Sequence, residues 1–183
     1  SDLRRRRWKS RSAGTCVTSN GGVEACDGFD NDCSGVADDH GACLSDCTAF
    51  REGDHPYLVC TSTSPWLAAR DTCRQQGMQL ARVDAATENS SLSAIIKAAA
   101  GGDQTYWLGG SDRLQAGLWL WEDGTPFWYG GVDGSAPADR YTSWEPQEPS
   151  QSPAKACLAA KSANSQWSVL DCITVLPFAC EAY

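Results

Sequence analysis

Ten cysteines in a chain of 183 residues most constrain what this sequence can fold into. A reducing compartment does not usually sustain so many thiols, so the even count predicts five disulfides and an oxidising, extracellular setting. Zinc is the alternative, and it would need cysteines two to four residues apart or cysteines beside histidines. Among the cysteines only Cys43 and Cys47 lie that close, and the histidines are His40 and His55 alone. Disulfides are therefore the favoured interpretation.

The charge of the chain is unevenly spread. Residues 1–15 carry six lysines or arginines against one aspartate, and residues 16–47 carry seven acidic residues with no lysine or arginine. This pattern predicts a basic flexible tail at 1–15, an acidic cysteine-rich segment at 16–46 and one larger domain at 47–183. For the Arg4–Arg7 run in the tail, a solvated linker is favoured over attraction to an anionic surface. No run of about 18 apolar residues occurs, so no membrane span is predicted.

The acidic segment contains the stretch "CDGFDNDCSGVADD", which predicts a metal site. Apolar residues are too few there for a core, and small scaffolds are ordered by disulfides or metals instead. Oxygen-bearing side chains alternate along the stretch, and Gly35 stands where a calcium loop turns sharply. Gly41 takes the place of the bidentate glutamate of an EF-hand, so the loop is not an EF-hand. The expected ligands of the cation, which we expect to be calcium, are Asp27, Asp30, Asp32, Ser34, Asp38 and Asp39.

The same stretch resembles the short metal-binding repeat of MopE-type bacterial surface proteins. That resemblance implies a secreted or surface-exposed bacterial protein that binds a cation. Ser34 stands where the repeat has aspartate, which removes one negative charge and weakens the site. The alternative is an acidic loop held by its disulfides alone. His40 could recruit a softer metal, but a lone histidine is more often simply exposed.

Residues 48–183 combine two helical patterns with several later strand patterns. From Trp66 onward, the apolar spacing predicts a helix capped by Ser64 with Pro65 at its first position. A second helix of roughly a dozen residues is predicted to end at Gly101. Short aromatic-rich runs separated by turn residues follow, and these predict strands. Helices followed by a run of strands indicate an α+β fold.

Many residues of this larger domain follow one family's order, namely Trp66, Ala69, Cys73, Gly77, Thr87, Glu88, Asn89, Trp107 to Gly110, 117–127, Trp144, Cys157, Trp167, Cys172 and Glu181. The order resembles the long form of the C-type lectin-like domain. The resemblance implies a double-loop fold, in which two helices flank antiparallel sheets and a long irregular loop carries the ligand site. It also implies the disulfides Cys73–Cys180, Cys157–Cys172 and Cys47–Cys60. Three pairings stay open for Cys16, Cys26, Cys33 and Cys43.

In the sugar-binding members of that family, calcium is held by a Glu-Pro-Asn triplet, by an acid before a core cysteine and by Trp-Asn-Asp. The stretch "WEPQEPS" contains two Glu-Pro pairs. Spacing to the flanking tryptophan and cysteine places Glu148-Pro149-Ser150 in the register of the triplet. The other two positions hold Lys155-Ala156 and Ser168-Val169. Calcium wants about 6–8 oxygen ligands, so we expect no cation at Glu148.

The long loop between Asp123 and Ala156 is rich in aromatic and turn residues, which favours a rigid contact surface. Phe127 and Trp144 are expected to form the loop's own core. Asn89 begins an Asn-Ser-Ser acceptor sequence, for which chance is favoured over glycosylation. The expected ligand-binding residues are Trp128, Tyr129, Asp139, Arg140, Tyr141, Glu148 and Ser150.

The leading interpretation is a secreted or cell-surface, non-catalytic recognition domain that binds a protein or glycan without the usual calcium-dependent sugar site. One alternative is a calcium-stabilised structural or adhesion module of a bacterial surface protein. Another is a calcium-dependent lectin with non-standard ligands. An enzyme is not indicated, because the cysteines are committed to bridges and both histidines are expected outside the strands of the domain. No nucleic-acid partner is expected.

Overall fold

The computed structural model describes residues 16–38, 41–52, 55–137, 140–152 and 154–182. The predicted basic tail, Asp39, His40 and Asp139 lie outside these residues. Within them the elements are β1 (Cys47–Glu52), β2 (His55–Ser64), α1 (Trp66–Gln75), β3 (Gln79–Leu80), α2 (Ala86–Ala100), β4 (Thr105–Ser111), β5 (Leu118–Leu120), β6 (Pro126–Tyr129), β7 (Cys157–Lys161), β8 (Trp167–Leu170) and β9 (Leu176–Glu181).

The strands form one sheet whose main path runs β1-β2-β9-β4-β5-β6. Strand β3 pairs with β9, and β7 pairs with both β4 and β8. Each pairing is antiparallel except that of β4 with β9, which is parallel where Trp107 meets Phe178. The last strand therefore lies beside the first hairpin, so the two ends of the domain meet in the sheet. Two helices packed on this sheet confirm the predicted α+β fold.

Helix α2 ends as its sequence predicts, but helix α1 begins differently. Helix α2 ends at Gly101, whose φ of 74° lies in the left-handed region that favours glycine. Helix α1 has Pro65 as its N-cap and Trp66 as its first residue. The prediction of Ser64 as the cap is wrong, because Ser64 is the last residue of β2 and pairs with Leu176 of β9.

A glycine explains how closely β3 approaches β4. A Cβ atom at Gly109 would lie 2.4 Å from the carbonyl oxygen of Leu80, nearer than any real contact of that kind. Gly109 belongs to the motif "WLGG" and lies two residues after Trp107, which is fully buried. The absence of a side chain at Gly109 allows the sheet to close over the core on that side.

Five disulfides hold the described residues together. Three of them, Cys73–Cys180, Cys157–Cys172 and Cys47–Cys60, are those that the resemblance implies. The four cysteines whose pairing stayed open form Cys16–Cys33 and Cys26–Cys43, each spanning 17 residues. Among the described residues, no helix has both the length and the apolar character needed to cross a membrane.

The buried carboxylate of Glu181 at the end of β9 links β2 to the segment that follows β3. Its Oε1 atom lies 3.1 Å from the Tyr57 hydroxyl and 3.1 Å from Nδ1 of His55. Its Oε2 atom accepts the backbone N–H of Arg82 at 3.2 Å. The Tyr57 hydroxyl also contacts the carboxylate of Glu88 on α2. Burial, together with these carboxylates, raises the pKa of Tyr57, which keeps it a neutral donor. His55 begins β2, so the expectation that both histidines lie outside the strands is wrong.

Candidate functional site

The aromatic residues of the long loop pack into the main core of the domain. Phe127 is fully buried and stacks on Trp121 with ring centroids 4.3 Å apart. The ring of Trp144 meets those of Trp119 and Trp167 edge-on, at 5.3 Å and 5.8 Å. Phe127 and Trp144 therefore anchor the long loop to the core of the domain, and the expectation of a separate core for the loop is wrong.

Asn89 attaches the long loop to helix α2. Its amide nitrogen donates hydrogen bonds to the Tyr141 hydroxyl at 3.0 Å and to the carbonyl of Ser165 at 2.7 Å. Its side-chain oxygen accepts the indole N–H of Trp167 at 3.2 Å. Asn89 is fully buried. A side chain enclosed in this way cannot carry a glycan in the folded domain, so the Asn-Ser-Ser sequence is a chance match.

The two Glu-Pro pairs of "WEPQEPS" have different structural roles. Both carboxylate oxygens of Glu145 lie 2.7 Å from Nζ of Lys161, which ties the loop to β7. The bond between Glu148 and Pro149 is cis, and Oε2 of Glu148 accepts the N–H of Ser150 at 2.5 Å. The first pair therefore anchors the loop, while the second shapes a tight turn.

Beside that turn lies a groove of about 640 Å³. One wall is the glycine-rich turn 129–135 and the other is the segment 147–151. The turn is closed by paired backbone hydrogen bonds between Tyr129 and Ser135, each of 2.9 Å. Gly134 is needed at its position, since a Cβ atom there would lie 2.2 Å from the Tyr129 carbonyl oxygen. We call this feature the long-loop groove. Its lining comprises Tyr129, Gly130, Gly131, Val132, Asp133, Gly134, Ser135, Gln147, Pro149, Ser150 and Gln151.

Two of the expected ligand residues, Tyr129 and Ser150, line the long-loop groove. The Tyr129 side chain is 45% exposed and is the one aromatic ring among the lining residues. Gln147 and Gln151 also line the groove and are exposed, and the sequence analysis missed both. The signal available for them was their position next to the Glu-Pro pairs, which the loop brings opposite the glycine-rich turn.

The other expected ligand residues do not line the groove. Trp128 packs edge-on against Trp144 at 6.1 Å and donates its indole N–H to the carbonyl of Gly131 at 3.1 Å. Tyr141 packs edge-on against Trp167 and is tied to α2. Arg140 is exposed, with its guanidinium 3.9 Å from the carboxylate of Asp84. The carboxylate of Glu148 accepts a hydrogen bond within its own turn, and Asp139 lies outside the described residues.

The family model of the lectin C-type domain matches residues 62–182 of this chain. The chain belongs to the C-type lectin domain family. The match begins inside β2, so it does not extend to the acidic segment, and the MopE-type repeat stays a prediction.

Curated relatives of the lectin domain match it at modest identity. Ladderlectin of Oncorhynchus mykiss is 29% identical over 103 residues, which cover 56% of this chain and 48% of the ladderlectin. The type-2 ice-structuring protein of Hemitripterus americanus is 29% identical over 121 residues, covering 66% of this chain and 63% of that protein. C-type mannose receptor 2 of Homo sapiens is 26% identical over 143 residues, which are only 9% of its length. This chain therefore spans about half of the length of the ladderlectin.

Solved structures share the fold of this lectin domain. The carbohydrate-recognition domain of the mouse scavenger receptor C-type lectin aligns with a TM-score of 0.60 at 22% identity, covering 76% of this chain and 94% of that one. A calcium-independent type II antifreeze protein aligns with a TM-score of 0.59 at 24% identity, covering 76% and 92%. At these identities the likeness extends to the fold and no further.

Within the lectin domain, the positions that would complete a calcium site around Glu148 offer few oxygens. Lys155 is exposed and carries a positive charge, which repels a cation. Ser168 and Val169 lie in β8 and are buried, and Val169 pairs with Leu158 of β7. Val169 has no side-chain oxygen to offer. Oε2 of Glu148 accepts the backbone N–H of Ser150.

The acidic segment gathers three carboxylates at one point. Glu24, Asp30 and Asp32 have side-chain oxygens within 4.8 Å of one another. Oδ2 of Asp30 accepts the N–H of Gly35 at 2.8 Å, whereas its buried Oδ1 has no hydrogen-bond partner among the described residues. Glu24 accepts the backbone N–H groups of Asp32 and Asp38, each at 2.8 Å. Carboxylates this close repel one another, so the group is a candidate cation site.

The remaining predicted metal ligands are placed differently. Asp38 belongs to a separate group with the Cys26–Cys43 bridge, and its Oδ1 accepts the N–H groups of Asp27 and Gly28 at 2.9 Å each. Burial raises the pKa of Asp38 and outweighs the lowering effect of those hydrogen bonds. Ser34 is exposed and its hydroxyl bonds the backbone of a neighbouring valine.

Glu24 was not among the predicted metal ligands because it lies outside the repeat. It stands two residues before Cys26, and the Cys26–Cys43 bridge folds this part of the segment back on itself.

The segment also contacts the larger domain, since the guanidinium of Arg51 in β1 lies 3.8 Å from the ring centre of Phe29.

Proposed function

We propose that this chain is an extracellular, non-catalytic recognition domain that binds its ligand in the long-loop groove without a calcium ion at Glu148. The observation that carries the proposal is the groove itself, an open recess of about 640 Å³ with a half-exposed tyrosine ring and exposed amides on its walls. The glycine-rich wall is held by Trp128, which donates its indole N–H to the carbonyl of Gly131 at 3.1 Å. A preformed recess of this kind costs little ordering when a ligand binds.

The chemistry of the lining favours an uncharged ligand. Tyr129 offers a ring face for stacking, and Gln147 and Gln151 each offer an amide donor and acceptor. No lysine, arginine or histidine stands among the described residues that line the groove, and Asp133 adds a negative charge. An anionic ligand would therefore meet no counter-charge. A neutral glycan or an uncharged stretch of protein surface fits the lining better.

Binding without a calcium bridge is supported by the surroundings of Glu148. Its carboxylate is committed to the N–H of Ser150, and Lys155 and Val169 stand where further acidic ligands would be needed. One carboxylate falls far short of the roughly 6–8 oxygen ligands that calcium requires. The groove therefore depends on stacking and hydrogen bonds made by protein atoms.

The experiment is a ligand screen against glycan and protein arrays, performed with calcium and with EDTA, followed by affinity measurement for the best binder. Tyr129→Ala should weaken that binder by at least about tenfold, because a half-exposed ring at the centre of a contact is a typical hot spot. The matched control is Leu114→Ala, since Leu114 is 88% exposed and lies outside the lining. Equal affinities for the two variants would rule out the groove as the binding site.

The EDTA arm separates this proposal from a calcium-dependent lectin with non-standard ligands. If EDTA abolishes binding while the domain stays folded, that alternative replaces the calcium-independent groove. Retained binding in EDTA, together with the Tyr129→Ala loss, supports the groove as described.

A second proposed role, that of a calcium-stabilised structural or adhesion module, belongs to the acidic segment. Glu24, Asp30 and Asp32 fit a hard cation, because their oxygens already converge and Oδ1 of Asp30 is buried without a partner. A bound cation would offset their mutual repulsion and hold the segment in its folded-back form. These residues then serve to order the segment and take no part in ligand binding at the groove.

Calcium titration of the full chain by calorimetry tests this second role. Asp30→Asn and Glu24→Gln should each weaken calcium binding by about tenfold or more, since each removes one charge from the site. Asp46→Asn is the control, because Asp46 is an exposed acid of the same segment outside the converging group. Absence of calcium binding, or an equal effect of all three changes, would contradict the role.

An extracellular location is proposed from the five disulfides, which persist in oxidising compartments. A non-catalytic role agrees with the lectin-type relatives. The ligand itself, protein or glycan, is left to the screen.

A further inference from the structure

Glu122 lies in the turn between β5 and β6, and its side chain is enclosed by protein. Only 2% of the side chain is exposed. Neither of its carboxylate oxygens has a hydrogen-bond partner among the residues that the structure describes. A charged carboxylate in such a place is costly, whereas the protonated form loses much less on burial.

The charged groups around Glu122 come from helix α1 and compensate it only in part. Nε of Arg74 lies 3.8 Å from Oε2 of Glu122, beyond hydrogen-bond distance, and the Arg74 side chain is 52% exposed to water. Arg70 is paired with its neighbour Asp71 at 2.7 Å, which offsets its charge. The backbone of Leu80 in β3 is close, but it forms no hydrogen bond of ordinary geometry with the carboxylate.

Burial therefore has the largest effect on the pKa of Glu122. It raises the pKa of Glu122 to about 7, against the lowering effects of Arg74, the Leu80 backbone and Arg70, while Asp71 adds to the rise. On the same turn, Asp123 is held by Arg82 at 2.8 Å. Glu122 is thus a carboxylate whose charge is poorly compensated by its surroundings.

We propose that Glu122 is a proton-operated latch of the β5–β6 turn: the turn stays closed over the protonated carboxyl and opens to water when the carboxyl is ionised. The turn is closed by two backbone hydrogen bonds, from the Trp121 N–H to Thr125 at 3.0 Å and from the Gly124 N–H to Trp121 at 2.9 Å. Release admits water to the carboxylate and frees these two N–H groups. The inference stands independently of any ligand in the long-loop groove.

The direction of the pH effect follows from proton binding. The folded chain binds the Glu122 proton more tightly than the unfolded chain, in which the pKa has its ordinary value of 4.5. The stabilisation from this proton is complete below about pH 4.5 and is lost as the pH rises through about 7. Over that interval the folding equilibrium constant falls by up to about 300-fold on account of this group.

The test compares the wild-type chain with Glu122→Gln by denaturant unfolding between about pH 5 and pH 8. The amide imitates the protonated side chain, so the variant should be more stable than wild type at the upper pH and should lose this part of the pH dependence. Asp103→Asn is the matched control, since Asp103 is also paired with a cation, Lys97, but is 53% exposed. The control should keep the wild-type slope.

A second measurement needs no variant. Amide hydrogen exchange of Trp121 and Gly124, corrected for the intrinsic rate at each pH, should show protection that falls across the same interval in wild type. An unchanged stability slope in Glu122→Gln overturns the latch. Constant protection of the two N–H groups in wild type overturns it as well, because ionisation would then leave the turn closed.

Discussion

At the scale of single residues, Asn89 shows how much of the long loop depends on one side chain. Its side-chain amide forms hydrogen bonds with the Trp167 indole, the Tyr141 hydroxyl and the Ser165 carbonyl. Asn89→Ala should lower the free energy of unfolding by about 2–4 kcal/mol, because it leaves buried polar groups without partners. Denaturant unfolding at neutral pH measures the change.

The control for Asn89 is Asn164→Ala. Asn164 is exposed, and its amide bonds its near neighbour Gln166. We expect a change of less than about 1 kcal/mol there. If the two alanine variants unfold at the same denaturant concentration, Asn89 is not the anchor of the loop.

At the residue scale, the sequence offered spacing along the chain as evidence, and the site residues chosen from it stay predictions. The register of Glu148-Pro149-Ser150 depends on distances to a tryptophan and a cysteine, and the structure places Ser150 in the groove and Glu148 in its turn. Glu24 could not be found in this way. Its approach to Asp30 depends on how the Cys26–Cys43 bridge folds the segment, and the pairing of those cysteines was open at the sequence level.

At the scale of elements, the glycine-rich turn 129–135 forms one wall of the long-loop groove. Gly134→Ala would place a methyl group 2.2 Å from the Tyr129 carbonyl oxygen and 2.6 Å from Nε1 of Trp128. We expect the variant to lose about 1–3 kcal/mol of stability through overpacking and to deform that wall. Thermal and denaturant unfolding test the first effect, and ligand affinity tests the second.

Gly102→Ala is the corresponding control at the end of α2. A Cβ atom at Gly102 would meet nothing within 4 Å, and its backbone lies outside the left-handed region. This change should alter stability by less than about 0.5 kcal/mol. A Gly134→Ala variant as stable as Gly102→Ala would show that the turn is looser than its contacts indicate.

The sequence predicted the helices and most strands because their patterns are local, and it erred where partners distant in the chain decide. Ser64 has the chemistry of a helix cap, but pairing with Leu176 keeps it in β2. Trp128 and Tyr141 have the chemistry of contact residues, and both pack against neighbouring rings, so their part in ligand binding stays a prediction. Aromatic composition alone cannot tell a ring that faces a ligand from one that faces another ring.

At the scale of the whole molecule, the disulfides differ in how much of the chain they close. Cys73–Cys180 spans 107 residues, whereas Cys47–Cys60 spans 13. In the chain-entropy model the longer closure contributes about 2 kcal/mol more. Replacing both cysteines of the long bridge by alanine should therefore destabilise the chain by about that much more than replacing Cys47 and Cys60. Denaturant midpoints measured without reductant check this, and an equal or smaller loss for the long bridge would contradict it.

The whole chain joins two parts whose proposed tasks differ. The lectin domain contains the long-loop groove, and the acidic segment contains the converging carboxylates of Glu24, Asp30 and Asp32. Recognition is therefore assigned to protein atoms in the long loop, and calcium is assigned to the ordering of residues 16–46. Residues 16–47 carry seven acidic residues and no lysine or arginine, whereas Asp133 is the one charged residue among the described residues that line the groove.

The most direct test of this division is a crystal structure of the full chain grown with excess calcium, with an anomalous difference map recorded for the ion. The account predicts a calcium peak among Glu24, Asp30 and Asp32, and none within the roughly 2.3–2.6 Å coordination distance of the Glu148 carboxylate. A calcium ion bound at Glu148 would contradict the account.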